Sequence, residues 1–353
     1  MSDDSPSERD VSPSDSTAAA ELPDAVATAA AELPDAVATA AAELRDAAST
    51  TRIVVGIGDS GPEHYEAALA VAARMLQQRP AVLNLVHGCT PRFSITPTGG
   101  AAERHLVRGR QLLEEAELVL SPMVDHDTLI TFTAVPQTGV DALLQESNEA
   151  ATVIVQRRDG SSIRRVYGVS TSHTVAAQAP CPVIVVRRDQ LESDAKRGVV
   201  VGVAPDSGLR ALEVGIAEAA ARSCPLTAVY VWDLRFSPTF GGSIDPDDEE
   251  LAEATRWADL VLARAVAAVV KDHHDVEIRA LSVRGVVENA LLQECEHAEL
   301  LVVERHRDAQ LASIGLGALT RHLIDHAPCP VMITPTSDAR DQSEAAQLVE
   351  PES

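Results

Sequence analysis

Ala327-Pro328-Cys329-Pro330-Val331-Met332-Ile333-Thr334 decides how this chain is read, because Ala179-Pro180-Cys181-Pro182-Val183-Ile184-Val185-Val186 is an earlier copy of it. Each copy is a short apolar run rich in β-branched residues behind a double-proline break. That pattern reads as a buried strand entered from the end of a helix. Proline fixes φ and biases its predecessor toward extended backbone, so the preceding helix must stop there. A signature this uncommon, present twice, points to internal duplication.

Working back from the first copy, Arg52 to Gly58 has a buried-strand pattern that ends in glycines. Residues 63–77 carry Leu69, Ala72, Ala73 and Leu76 at helical spacing, and Ala81 to Val86 is a second strand. A Gly/Pro/Thr loop over 88–101 leads to an amphipathic helix over 102–121. Leu129 to Val135 alternates as a strand, Val140 to Ala150 reads as a helix, and Thr152 to Val155 is a fourth strand. A polar loop and a helix over Thr171 to Gln178 lead into the Val183 strand. Strict alternation of strand and helix specifies a parallel α/β sheet covered on both faces.

The same order restarts after a charged linker. Val199 to Val203 answers the first strand and Leu226 to Val231 the second; Glu250 to Val270 is a long helix and Ile278 to Val283 a strand. Ala290-Leu291-Leu292-Gln293-Glu294 repeats Ala142-Leu143-Leu144-Gln145-Glu146, and the offset of 148 positions holds up to the proline strand. The expected organisation is a disordered acidic, Ala-rich tail over 1–50 and a domain over 51–187. A linker over 188–196, a second domain over 197–335 and a disordered tail over 336–353 complete it. In the first tail, Pro23 and Pro34 interrupt the Glu-Leu-Pro-Asp-Ala-Val-Ala-Thr repeats, leaving helical pieces too short to be stable alone.

Composition narrows the function. The net charge of -24 argues against nucleic acid and anionic membrane as partners. The two tails hold roughly half of that negative charge, so the folded body is less acidic. No apolar run is long enough to span a bilayer, and the acidic, Ser-rich N-terminus is unlike a signal peptide, so the expected location is the cytoplasm. Cys89, Cys181, Cys224, Cys295 and Cys329 are odd in number and lack metal-type spacing, which fits small core residues in a reducing compartment.

At this point the residues resemble a known family. The first strand Val-Val-Val-Gly-Val, the helix Ala-Leu-Leu, the fourth strand Leu-Leu-Val-Val and the closing His-Ala-Pro-Cys-Pro-Val are similar to those of universal stress protein domains. The resemblance covers about residues 51–187 and 197–335 and matches the tandem form found in actinobacteria. It implies two doubly wound, five-stranded parallel-sheet domains of the Rossmann-like, adenine nucleotide alpha hydrolase-like kind. It also implies domain pairing through the fifth strands, Val183–Val186 against Val331–Thr334, a habit that allows a homodimer as well.

Many members of that family bind ATP, through an Asp after the first strand and a loop Gly-x2-Gly-x9-Gly-Ser/Thr. The glycines let backbone N–H groups approach phosphates at a helix N-terminus. This chain departs from that pattern twice. In the first half the Asp position is Gly58, with Asp59 one residue later; the loop positions become Gln156, Asp159, Val169 and Ser170. Gly168 is one place out of register, while Arg157, Arg158, Ser170 and Thr171 remain able to meet a phosphate. In the second half the positions become Ala204, Glu304, Arg307, Gly317 and Ala318, and only Gly317 fits. A side chain at a close-approach glycine occupies the phosphate's space, and a carboxylate there also repels it, by on the order of 1 kcal/mol even when screened. No cofactor is expected in the second half, and ATP, if bound, belongs to the first.

Other residues have simpler readings. Asp59-Ser60 and Asp206-Ser207 fit helix N-caps. His87 with Cys89, and Cys295-Glu296-His297, present no recognised metal set. His273-His274 fits exposed surface, Trp232 core packing at the mouth of a strand, and Arg104, Arg108 and Arg110 a solvated helix face. The sequence therefore points to a stress-response binding or regulatory module with degenerate nucleotide sites and no catalytic residues. Two readings stay open beside it: an ATP-binding protein with slow hydrolysis in the first half, and a scaffold whose acidic tails recruit a partner.

Overall fold

The computed structural model describes residues 51–59, 61–90, 100–157, 170–190, 198–204, 209–233, 247–270, 275–305 and 316–336. The chain divides into two units, Met1–Thr50 and Thr51–Ser353. The first, with the Ala-rich repeats, lies outside the described residues, as do Asp206-Ser207, His273-His274 and everything beyond Thr336.

In chain order the second unit contains β1 (Arg52–Gly56), α1 (Glu66–Gln78), β2 (Val82–Gly88), α2 (Gly100–Leu120), β3 (Ile130–Val135), α3 (Gly139–Glu146), β4 (Thr152–Gln156), α4 (Thr171–Gln178) and β5 (Val183–Val186). The second half follows with β6 (Val199–Gly202), α5 (Arg210–Arg222), β7 (Leu226–Trp232), α6 (Asp248–Val269), β8 (Ile278–Arg284), α7 (Val287–Glu294), β9 (Leu300–Glu304), α8 (Ala318–His326) and β10 (Val331–Thr334). These elements fall within a few residues of their expected places. The largest difference is α3, which stops at Glu146 and does not run to Ala150. There the Ser147 hydroxyl and the Asn148 amide bond the carbonyl of Leu144, at 2.7 and 3.1 Å, and side-chain competition of this kind ends a helix.

The ten strands of the described residues join one sheet, in the order β3-β2-β1-β4-β5-β10-β9-β6-β7-β8. Pairing is parallel within each half, and the halves meet where β5 and β10 run antiparallel. Ile184 there faces Met332, its own counterpart in the repeat, so the seam has a pseudo-twofold through that pair. The antiparallel pairing covers two strand edges that each half would otherwise expose.

Alternate residues of the strands feed two cores. Ile53, Val55, Leu83, Ile154, Ile184, Val201 and Met332 pack under α1, α2, α5 and α6. Val54, Val153, Val183, Val200, Leu301 and Ile333 pack on the opposite face with α3, α4, α7 and α8. Burial of each such side chain contributes about 1.5–3 kcal/mol. Both cores run through the seam.

Polar groups also lock the seam. Arg305 Nη1 donates to the carbonyls of Ala177 and Ala179, at 2.7 and 3.1 Å, at the C-terminal end of α4. In the other direction, Arg187 Nη1 donates to the Asp325 and Ala327 carbonyls at the end of α8, and Gln190 Nε2 to those of Ala327 and Cys329. Carbonyls left over at a helix end are thus satisfied by side chains of the opposite half. Gln190 is buried, so this part of the expected linker packs into the seam. On the other face of the sheet, the buried carboxylate of Glu218 in α5 takes Arg79 from the first half at 2.8 Å and Arg222 from its own helix.

Candidate ligand crevices at the two switch points

In each half the strand order reverses, between β1 and β4 and again between β6 and β9. The helices that follow the two strands of each pair lie on opposite faces of the sheet, the arrangement that in open α/β sheets leaves a ligand crevice outside the strand ends. The residues expected to matter divide between its walls. Gly58 and Asp59 follow β1; Gln156 and Arg157 end β4 or follow it; Ser170 and Thr171 open α4. In the second half Ala204 follows β6, Glu304 ends β9, and Gly317 and Ala318 open α8. Arg158, Asp159, Gly168, Val169 and Arg307 lie outside the described residues.

Gln156 spans the first crevice. Its Oε1 accepts from the backbone N–H of Ala67 at 2.9 Å, and its Nε2 donates to the carbonyl of Glu63 at 2.7 Å. Ala67 is the second residue of α1, and no side chain at the N-cap position, Tyr65, serves that helix end. The glutamine amide therefore caps α1 from the end of β4, nearly ninety residues away. One amide holds both walls together at the height where the family motif has its first loop glycine.

Asp59 is not the helix cap that its position predicts. Its exposed carboxylate has Oδ1 3.6 Å from His87 Nε2, beyond hydrogen-bond length. The buried His87 ring has Nδ1 2.9 Å from the Ile57 carbonyl, which accepts only from an Nδ1–H. Nε2 thereby faces Asp59, and the two attract strongly only when the ring is protonated. A Cβ at Gly88 would run into the backbone of Thr138 and Gly139, so a side-chain-free residue is required where the α3 loop crosses β2. Cys89 is buried beneath Gly109; burial and then Asp59 push its thiol pKa up, against Arg110, which makes it a poor nucleophile.

Arg157 is engaged by the other half of the chain. Its Nε lies 3.0 Å from Asp325 Oδ1 in α8, and His173 Nε2 lies 3.4 Å from the same oxygen. Ser170 takes the N-cap position of α4, but its hydroxyl meets that of Ser172 at 2.8 Å and does not cap the backbone. In the second crevice Gly317 takes the N-cap position of α8, also with no side-chain cap, and Ala318 supplies no hydroxyl. By strand register Tyr230 replaces His87 and Trp232 replaces Cys89, so aromatic rings border the second mouth.

The roles of Gln156 as a cap, of Arg305 and of Glu218 were missed in the sequence. The only available signal was the repeat offset, which equates Arg157 with Arg305. Among the described residues, no three or more of His, Cys, Asp and Glu gather at metal-binding distance. Arg104, Arg108 and Arg110 are exposed on α2, where Arg108 pairs with Glu115 at 2.9 Å.

The profile of the universal stress protein family matches residues 49–187 and again 197–335. The chain belongs to the universal stress protein family. As a tandem member it is similar to a universal stress protein of Mycolicibacterium smegmatis, 28% identical over 293 residues that cover 80% of this chain and 96% of the relative. It is also similar to one of Mycobacterium tuberculosis, 26% identical over 296 residues, covering 80% and 95%. In fold, this universal stress protein is like the crystal structure of one from Archaeoglobus fulgidus. That match has a TM-score of 0.60, 15% identity, and coverage of 81% of this chain and 97% of the other. Among the described residues no helix is long and apolar enough to cross a membrane.

Proposed function

We propose that this tandem universal stress protein is a binding and regulatory module of the stress response whose nucleotide sites have degenerated. The observation that carries this reading is Gln156. Its side chain reaches from the end of β4 to the opposite wall, where it bonds the Ala67 N–H and the Glu63 carbonyl at 2.9 and 2.7 Å. A nucleotide entering there has to displace that amide and leave the Ala67 N–H without its partner, a loss of about 1–3 kcal/mol. Arg157, the residue that follows β4, is already paired with Asp325. In the second half Glu304 stands at the sequence position equivalent to Gln156, and a carboxylate near a phosphate disfavours an anionic ligand.

One observation supports the alternative, slow ATP turnover in the first half. Ser170 and Thr171 keep two hydroxyls at the start of α4, where the family motif has its Gly-Ser/Thr. Calorimetric titration of the full chain with Mg-ATP separates the readings. The degenerate-site reading expects no micromolar binding by the native chain and a gain on Gln156→Gly. Micromolar binding by the native chain that is weakened by Ser170→Ala would replace it with the ATP-dependent reading. The full chain is needed because both cores run across the seam.

A further inference from the structure

We propose that His322 and His326 form a two-histidine site for a borderline divalent cation, zinc in the first instance, on the last turn and a half of α8. The residues are four apart on one helix, so their side chains rise from the same face. Their ring centroids are 4.3 Å apart and the planes differ by 23°. His326 Nδ1 lies 2.9 Å from the His322 carbonyl. A carbonyl accepts only, so Nδ1 carries the hydrogen and Nε2 carries the lone pair, which is the tautomer a metal takes. Among the described residues no ion pair or side-chain hydrogen bond draws either ring toward another side chain.

Imidazole pairs at this spacing select zinc, nickel or copper over magnesium and calcium, which need oxygen ligands. Metal–nitrogen bonds of about 2.0–2.1 Å are reached by small side-chain rotations that bring the two adjacent ring edges together. Asp325, between the two histidines in sequence, is not a third ligand, because its carboxylate is turned to Arg157 and His173. With no group of three donors among the described residues, water completes the coordination shell and the site stays open.

Position gives the site its interest. At the equivalent places on α4 the first half has Thr174 and Gln178, so the pair occurs once in the duplicated fold. The turn it would clip is the one whose end carbonyls, Asp325 and Ala327, are held by Arg187, and whose Asp325 side chain holds Arg157. A bound ion would therefore brace α8 where the first half grips it.

The test is a thermal melt of the metal-free full chain titrated with zinc chloride. Native protein should gain roughly 4 °C at a hundredfold excess over Kd. His322→Gln and His326→Gln should each lose that gain, while His126→Gln, an exposed histidine in the connection between α2 and β3, should keep it. Both target residues are at least partly exposed, and circular dichroism without metal verifies that the variants fold. No gain in the native chain up to millimolar zinc, or a full gain in His326→Gln, would overturn the proposal.

Discussion

Arg305 Nη1 lies 2.7 Å from the carbonyl of Ala177, a residue of the other half of the chain. Its repeat counterpart, Arg157, reaches the opposite way, with Nε 3.0 Å from Asp325 Oδ1, and Asp325 is the counterpart of Ala177. The pseudo-twofold thus preserves the direction of each arginine while changing its partner. One guanidinium closes a helix end and the other makes an ion pair.

The two contacts should differ in strength. Arg305 is 6% exposed, and its removal leaves helix carbonyls without a donor inside the seam. Arg305→Met should cost roughly 2–4 kcal/mol in urea unfolding of the full chain. Arg157→Met, at a more solvated pair, should cost about 1 kcal/mol or less. Equal losses would show that the seam does not depend on the capped carbonyls.

Glu218 is the second lock. The side chains of Glu218 and Arg222 are 5% and 8% exposed, and Arg79 approaches from the other half. Glu218→Ala leaves two guanidinium groups facing each other without their carboxylate. The expected loss is roughly 3 kcal/mol, read from the midpoint of denaturant unfolding. Adding Arg222→Met to that variant should recover part of the loss, since a buried unpaired charge is then removed.

His173 makes the seam sensitive to acid. Burial lowers its pKa from 6.5, with Arg157 and Arg321 acting in the same direction and Asp325 opposing them. The folded state therefore resists a proton that the unfolded chain accepts. The resulting stability is present above about pH 6.5 and is lost as pH falls through the lower folded value. Melting temperatures between pH 7.5 and 5 should fall less steeply for His173→Gln than for the native chain. Parallel curves would remove His173 from the account.

Cys181 sets an alkaline counterpart. Burial is the main cause that lifts its thiol from 9.0 to about 11. Below pH 9 both states hold the proton; between 9 and 11 the unfolded chain gives it up first, so stability declines over that window. Cys181→Ala should flatten the decline. At pH 8 a thiol reagent should modify Cys224 well before the four buried cysteines, and rapid reaction of Cys181 would contradict the buried geometry.

The duplication, the alternation of strand and helix, and the role of the proline strands were all legible in the residues. Each is a local pattern, an apolar period or a proline break, that repeats at a constant offset. Asp59 shows where that kind of reading stops. A carboxylate before a helix looks like its cap, but the cap of α1 is Gln156, brought there by the pairing of β1 with β4. Arg157 reads as a phosphate contact, and nothing in the local sequence of Arg79, Glu218 or Arg305 marks them out from ordinary charges. Their partners lie about 120 to 170 residues away and meet only because β5 and β10 align antiparallel about Ile184 and Met332. Sequence by itself determined the elements and their order, since backbone preference and burial period are properties of neighbouring residues. Tertiary structure decided which polar groups meet, since a hydrogen bond needs its partners placed to within a fraction of an ångström and that placement belongs to the packed sheet as a whole.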